Sequence, residues 1–235
     1  MVLNAGQTEA VLFGDDGLAP RLTKGAVVVC CVTVAPEFAR RMAARCGEFG
    51  LHFLDAPISG GSVKAAQGKL AIMASGTPEA FKAARSLLVA TAETVFEFGD
   101  SAGSGSAMKA VNQMLAGIHI AAMAEAITFG MTQGISPETF LTVIPQCAGT
   151  SWMLENRTQH IVSGDYTPHS AIDIWPKDLG IVLDAARASN FSAPLTAAAL
   201  QQFVAASGMG FGREDDAAVA KVYARNARLA LPGEE

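Results

Sequence analysis

Hydrophobic positions follow two different patterns in the two parts of the chain. Up to about residue 100, short apolar runs alternate with segments of helical periodicity. The run at residues 26–32 is β-branched, of strand length and apolar on both faces, which is typical of a covered parallel sheet. After Gly105 the periodicity is helical only. The pattern predicts an α/β part, residues 1–102, followed by an all-helical part, residues 103–235, with a long helix at the junction.

Cap and turn residues bound the predicted elements. Thr77 and Pro78 begin one helix as N-cap and first residue, and Ser136 and Pro137 begin another. We predict strands at residues 26–32, 51–54, 70–74 and 93–98. We predict helices at residues 36–47, 78–89, 105–133, from 137 onward, and at 151–162, 176–189, 194–207 and 214–226. Residues 1–4 are interpreted as the end of a strand running into a loop, and residues 208–212 as a loop.

Composition narrows the class of protein. Of 235 residues, 50% are hydrophobic and 17% charged, with a net charge of -5, which excludes a disordered chain and argues against a dedicated nucleic-acid binder. The four cysteines form no CxxC pair and no secretory leader is visible, so we expect reduced thiols in a cytoplasmic protein. The apolar stretch at 110–131 contains His119 and Glu125, so we predict a buried helix, not a membrane span. The histidines lack metal-ligand spacing, so we expect no metal.

A glycine pair is the first candidate for chemistry. Residues 55–61 read Asp-Ala-Pro-Ile-Ser-Gly-Gly and follow a predicted strand. Glycine lets backbone N–H groups approach a ligand closely, so Ser59, Gly60 and Gly61 can present such groups to a carboxylate. A tight turn without a ligand is the commoner use of such a pair.

The second candidate opens the long helix. Lys109, Asn112 and Gln113 stand at i, i+3 and i+4, so they share one helical face. A lysine on so apolar a helix is costly unless something uses or solvates it, and amides there require partners. A lysine, two amides and an anion-binding turn would suit a small hydroxy acid. A structural lysine that extends to solvent remains the alternative.

Three ordered segments resemble the β-hydroxyacid dehydrogenase family. Residues 55–68 (DAPISGGSVKAAQG) resemble its substrate-binding signature, residues 103–113 its catalytic-lysine signature, and residues 176–179 (PKDL) its third motif. The resemblance implies that Lys109 is the catalytic acid/base, in oxidation or reduction of a hydroxy acid with NAD or NADP. It implies an N-terminal Rossmann-type domain, a helical C-terminal domain and a homodimer or homotetramer. It also implies the following substrate contacts: Ser59, Gly60, Gly61, Asn112 and Gln113.

The cofactor contacts implied by the resemblance are Thr33, after the first predicted strand, and Lys177. A lysine in the first turn opposes the helix dipole, which favours a ligand-directed role for Lys177. Asp178 fits a first turn for ordinary dipole reasons, and we give it no chemical role. Because a free lysine amine is a poor base at neutral pH, partial burial or a nearby cation would make Lys109 more effective.

The chain also departs from the family pattern. No GxGxxG occurs, and roughly the first 60 to 70 family residues, with the first strand and the pyrophosphate turn, have no counterpart. The expected alternative is therefore a catalytically impaired fragment that folds and oligomerises but binds nucleotide poorly. The Asn112-Gln113 pair resembles the L-threonate branch of the family; tartronate semialdehyde and 3-hydroxyisobutyrate remain alternative substrates. Imine reduction and 6-phosphogluconate decarboxylation fit Lys109 and Gln113 less well.

Overall fold

The computed structural model describes residues 1–234 and divides the chain into two compact units. The first unit comprises Met1–Asn112 and the second Gln113–Glu235. The α-helices and strands are α1 (Ala5–Phe13), β1 (Val27–Cys30), α2 (Pro36–Glu48), β2 (His52–Asp55), β3 (Ile58–Ser59), α3 (Gly61–Ala66), β4 (Leu70–Ala74), α4 (Pro78–Thr91), β5 (Ala92–Glu97), α5 (Ser104–Thr132), α6 (Pro137–Val143), α7 (Trp152–Ser163), α8 (Ile174–Ala188), α9 (Pro194–Ala206) and α10 (Ala220–Ala227).

The first unit is a layered α/β structure. Strands β1 and β2 pair in parallel, while β4 pairs antiparallel with β3 and parallel with β5. An antiparallel bridge between Asp55 and Ser75 connects the end of β2 to the end of β4. Helix α4 packs against β1, β2 and β5, and its buried alanines and Leu88 contact Leu54 and Ile72 in one core. The bridge therefore brings together the ends of two strands from the two sheets.

Most predicted elements of this unit are confirmed. Strand β4 has the predicted bounds, and the other three predicted strands lie within about three residues of their predicted ends. The interpretation of residues 1–4 was wrong: they form no strand, and Asn4 caps α1 by accepting a hydrogen bond from the Gln7 N–H. Helix α1 carries no clear apolar stripe, because glycine and polar residues such as Gly6 and Gln7 are spread among its apolar positions, so periodicity did not indicate it.

The second unit is all-helical. Its core joins α5, α7, α8 and α9, and its fully buried side chains include Ile120, Ile161, Leu179 and Phe203. Among the described residues, α5 is the one helix long and apolar enough to cross a membrane, with a mean hydropathy of 1.5 and 44% of that window buried. Core helices of soluble proteins meet the same criterion. Together, the layered first unit and the all-helical second unit give a Rossmann-like part followed by a helical part, as predicted.

Two helix starts of this unit differ from prediction. Helix α8 begins at Ile174, two residues before the predicted start at Pro176, and it has no acidic residue in its first turn. The last predicted helix is a 3-10 turn (Asp216–Val219) that leads into α10. The segment predicted as a glycine-rich loop contains a distorted turn, Ser207–Phe211, in which Gly210 has φ 94°. The start of α8 was predicted at Pro176 because proline is common at the first position of a helix; here it occupies the third.

Candidate active site

A buried carboxylate joins the first two sequence segments. Asp55, at the end of β2, is fully buried. Its Oδ2 accepts hydrogen bonds from the backbone N–H groups of Gly103 and Ser106, both at 2.9 Å, and its Oδ1 accepts one from the Ser106 hydroxyl at 2.7 Å. The first N–H groups of a helix have no partner within that helix. Asp55 therefore acts as the N-cap of α5, the helix that carries Lys109, although it lies far away in sequence.

Ser75 completes this cap. Its hydroxyl donates to Asp55 Oδ2 at 3.2 Å and accepts from the Gly105 N–H at 2.9 Å. A side chain at Gly105 would collide with the Met73 carbonyl oxygen, and Gly103 has φ 110°, a conformation that favours glycine. The glycines before Lys109 are thus required for the helix end to approach the ends of β2 and β4. Asp55 was not among the predicted site residues; the available signal was the Gly-Ser-Gly-Ser helix start, where no cap was apparent from the neighbouring residues.

Lys109 lies in the second turn of α5 and is 7% exposed. Asn112, three residues later on the same face, is half-buried. So deep a position is unusual for a lysine and is costly unless the amine is hydrogen-bonded or used. In the first unit, Lys109 is thus a buried lysine on the helix whose start Asp55 caps.

The glycine pair forms the turn between β3 and α3. Ser59 pairs with Ala71 of β4, Gly60 has φ 129° and Gly61 has φ 67°. No side chain caps α3, and a Cβ added at Gly61 would meet nothing within 4 Å. The two positive φ angles explain the glycines, and the open space leaves room for a ligand. The glycine turn follows Asp55 in the chain, and Asp55 caps α5, the helix that carries Lys109. The Asp55 carboxylate therefore connects the segment of the glycine turn to the segment of Lys109.

Thr33 is half-buried in the loop that follows β1, between the buried Val32 and Val34. In open parallel sheets, ligands bind in the crevice outside the carboxyl ends of the strands. The structure therefore puts Thr33 at the end of the sheet where a dinucleotide is expected.

The second unit contains a separate polar cluster. Asp178 is 2% exposed, and its Oδ2 accepts a hydrogen bond from Gln113 Nε2 at 2.6 Å. Its Oδ1 accepts from Lys177 Nζ, in an ion pair with a half-buried lysine. The structure thus brings two predicted site residues, Gln113 and Lys177, to one carboxylate. The expectation that Asp178 is an ordinary first-turn acid was wrong, because α8 begins earlier and buries it in the second turn.

The start of α8 is held by a second buried carboxylate. Asp216 is fully buried; it accepts from Trp175 Nε1 at 2.9 Å and pairs with Arg157. Burial raises the pKa of Asp216, and the Arg157 guanidinium opposes that rise. Trp175 also stacks on Phe203, with ring centroids 5.3 Å apart. Trp175 stands two residues before Lys177, so this network fixes the helix turn that presents the cluster.

Comparisons with known proteins agree with this architecture. Residues 103–223 match the family profile described as NAD-binding of NADP-dependent 3-hydroxyisobutyrate dehydrogenase, and residues 1–99 match the NAD binding domain of 6-phosphogluconate dehydrogenase. L-Threonate dehydrogenase of Cupriavidus necator is 50% identical over 233 residues, which cover 99% of this chain and 77% of that protein. The chain belongs to the 3-hydroxyisobutyrate dehydrogenase family. The relatives described here are named L-threonate dehydrogenase and 3-hydroxyisobutyrate dehydrogenase, so the chain is an NAD(P)-dependent hydroxyacid dehydrogenase that acts on a small molecule.

Solved structures of relatives extend the comparison. A crystal structure of 3-hydroxyisobutyrate dehydrogenase from Salmonella typhimurium has a TM-score of 0.90 and 47% identity, covering 94% of this chain and 77% of that one. A structure of Psf3 in complex with NADP+ has a TM-score of 0.84 and 26% identity, covering 93% and 77%. The cofactor of this chain is accordingly NAD or NADP. No group of three or more potential metal ligands occurs in the part of the chain that the structure describes.

Proposed function

We propose that this chain oxidises L-threonate, or a closely similar small hydroxy acid, with NAD or NADP, and that Lys109 is the general acid/base. The observation that carries the proposal is the buried position of Lys109 on a helix whose first turn is capped by the Asp55 segment. The 50% identity to an L-threonate dehydrogenase supports the choice of substrate. The Asn112-Gln113 pair supports the same branch.

Proton transfer is the part of the reaction assigned to Lys109. Oxidation of a secondary alcohol removes a hydride from carbon and a proton from the hydroxyl group. The nicotinamide, when bound, supplies the hydride acceptor. The neutral amine of Lys109 takes the hydroxyl proton, and in the reverse direction its ammonium returns a proton to the carbonyl oxygen. Burial keeps water away from this exchange and strengthens the polarisation of the substrate oxygen.

Substrate orientation is assigned to the glycine turn and to the two amides. The backbone of Ser59, Gly60 and Gly61 binds the substrate carboxylate, consistent with open space at Gly61. Asn112 and Gln113 bind the substrate hydroxyl groups, since an amide can both donate and accept. A polyhydroxy acid would use both amides, which favours a threonate-like substrate over one with a single hydroxyl group.

Two residues are assigned to the cofactor. Thr33, at the carboxyl end of β1, and Lys177, a half-buried cation beside Asp178, fit an anionic dinucleotide.

We further propose that residues 1–102 hold mainly the cofactor, and that residues 103–235 supply substrate contacts and the oligomer interface. A homodimer or homotetramer is supported by large exposed apolar side chains such as Phe129, Phe191 and Leu195, which are 65%, 62% and 68% exposed. The proposed compartment is the cytoplasm.

The Lys109→Ala variant tests the catalytic assignment. We expect kcat for L-threonate oxidation to fall by at least about a thousandfold, because the proton acceptor is lost, while the far-UV circular dichroism spectrum stays unchanged. Lys82→Ala, at an exposed lysine of α4, is the matched control and should keep wild-type kcat. Turnover by Lys109→Ala within tenfold of the wild type would rule out the assigned role.

Two further measurements decide the alternatives. Fluorescence titration of the purified 235-residue chain with NADH and NADPH should show saturable micromolar binding. No saturation with either nucleotide would instead support the catalytically impaired fragment. Comparison of kcat/KM for L-threonate, 3-hydroxyisobutyrate and tartronate semialdehyde tests the substrate, and a higher value for either of the last two would replace threonate.

A further inference from the structure

Both carboxylate oxygens of Asp178 are used, each by a different predicted site residue. Oδ2 accepts from Gln113 Nε2 at 2.6 Å and Oδ1 accepts from Lys177 Nζ. The three side chains belong to the same unit, and the carboxylate between them is 2% exposed. Asp178 is followed by the fully buried Leu179, so a charged group stands where the helix faces the core. A buried carboxylate in such a position is stable only when it is paired and hydrogen-bonded.

This contact fixes the orientation of the Gln113 side chain. A carboxylate accepts hydrogen bonds and donates none, so the amide must turn its Nε2 toward Asp178. The side on which Gln113 Oε1 lies is then determined as well. An amide oxygen held in one direction is a directional acceptor for a substrate hydroxyl. The same carboxylate restrains the Lys177 ammonium, which stands at the end of a four-carbon chain.

We propose that Asp178 is a positioning residue that orients Gln113 toward the substrate and Lys177 toward the cofactor at the same time. The inference rests on the proposed function, because the roles of Gln113 and Lys177 are part of it. Asp178 itself contacts neither ligand. If Asp178 has this role, a single change at Asp178 weakens the binding of both substrate and cofactor. A change at Gln113 or at Lys177 weakens mainly the binding of one of them.

The Asp178→Asn variant tests the geometry without any ligand. Asparagine has an NH2 group in place of one carboxylate oxygen, so one of the two partners would face a donor where it now has an acceptor. We expect faster acylation of Lys177 in competitive labelling with acetic anhydride, and faster hydrogen exchange of the Gln113 side-chain amide by NMR. Asp184→Asn, the same change at an exposed position of α8 that pairs with Arg187, is the matched control and should alter neither rate. Unchanged rates in Asp178→Asn would overturn the proposal.

Steady-state kinetics tests the coupling. Asp178→Asn should raise both the KM for the hydroxy acid and the Kd for NAD(P)H, each by about tenfold, the effect expected from one charge-assisted hydrogen bond. Gln113→Leu should raise mainly the first constant and Lys177→Met mainly the second. Because Asp178 acts through its partners, adding Asp178→Asn to Gln113→Leu should change the KM by less than twofold further. Multiplicative losses in that double variant would indicate a merely structural role and overturn the proposal.

A second variant guards against misfolding. If Asp178→Asn does not fold, Asp178→Glu keeps the charge, and we expect Lys177 to be labelled within about twofold of the wild-type rate. Labelling of Asp178→Glu as fast as that of an unfolded chain in urea would overturn the proposal. If the wild-type chain oxidises none of the acids, the proposed function fails, while labelling and exchange still decide whether Asp178 holds its two partners.

Discussion

Replacing Asp55 by alanine should destabilise the first unit strongly, because three donors of the α5 start lose their acceptor. These donors are the N–H groups of Gly103 and Ser106 and the Ser106 hydroxyl. A hydrogen bond to a charged group contributes about 1.5–3 kcal/mol. The three are not additive and water can enter the vacated space, so we expect a loss of about 3–5 kcal/mol in the free energy of unfolding.

Urea unfolding followed by far-UV circular dichroism measures this loss, and hydrogen exchange with mass spectrometry locates it. Amides at residues 103–106 should exchange faster, because they are no longer capped. Asp16→Ala is the control: its side chain is 95% exposed and pairs with Arg21 at the surface, so it should lose no more than about 1 kcal/mol. Equal stability of Asp55→Ala and Asp16→Ala, with unchanged exchange at residues 103–106, would refute the capping argument.

Three further predictions concern packing and pH. Gly105→Ala should lower the free energy of unfolding by more than about 2 kcal/mol in urea titrations, because its Cβ collides with the Met73 carbonyl oxygen. Gly180→Ala, inside α8 with nothing within 4 Å of its Cβ, should instead stabilise by about 0.5–1 kcal/mol, and a loss there would contradict the reasoning. Burial alone would raise the pKa of Asp215, but hydrogen bonds from His160, Ala217 and His169 lower it to about 2. The stability from this carboxylate is therefore present above its usual pKa of 3.8 and is lost as the pH falls toward 2, so Asp215→Asn should flatten the pH dependence of urea unfolding in that window.

Local signals explain how much of the fold was predictable. Thr77, Ser136 and Ser151 each accept a hydrogen bond from a backbone N–H three residues ahead, as their residue types predict. Strand β4 is short, apolar and bounded by turn residues, so its position followed from the sequence. Helix α3 was missed because it has six residues and begins with a glycine pair, which indicates a turn and not a helix.

The candidate site was predictable only in part, for a different reason. Lys109, Asn112 and Gln113 could be grouped because helical spacing alone puts them on one face. The carboxylates that hold the site could not, since Ser106, a partner of Asp55, is 51 positions from it in the sequence, and Gln113, a partner of Asp178, is 65 positions from it. Such pairings depend on how strands and helices pack, and no local pattern encodes them.

The capping of α5 by the end of β2 also orders events during synthesis. On the ribosome, residues 52–75 emerge before the helix start at Ser104, so the acceptor on Asp55 and the hydroxyl of Ser75 are made before the N–H groups that need them. A peptide of residues 103–132 alone would fray at its amino end, because nothing in that segment replaces the distant carboxylate. The helix turn that leads to Lys109 is therefore capped only after the ends of β2 and β4 have formed.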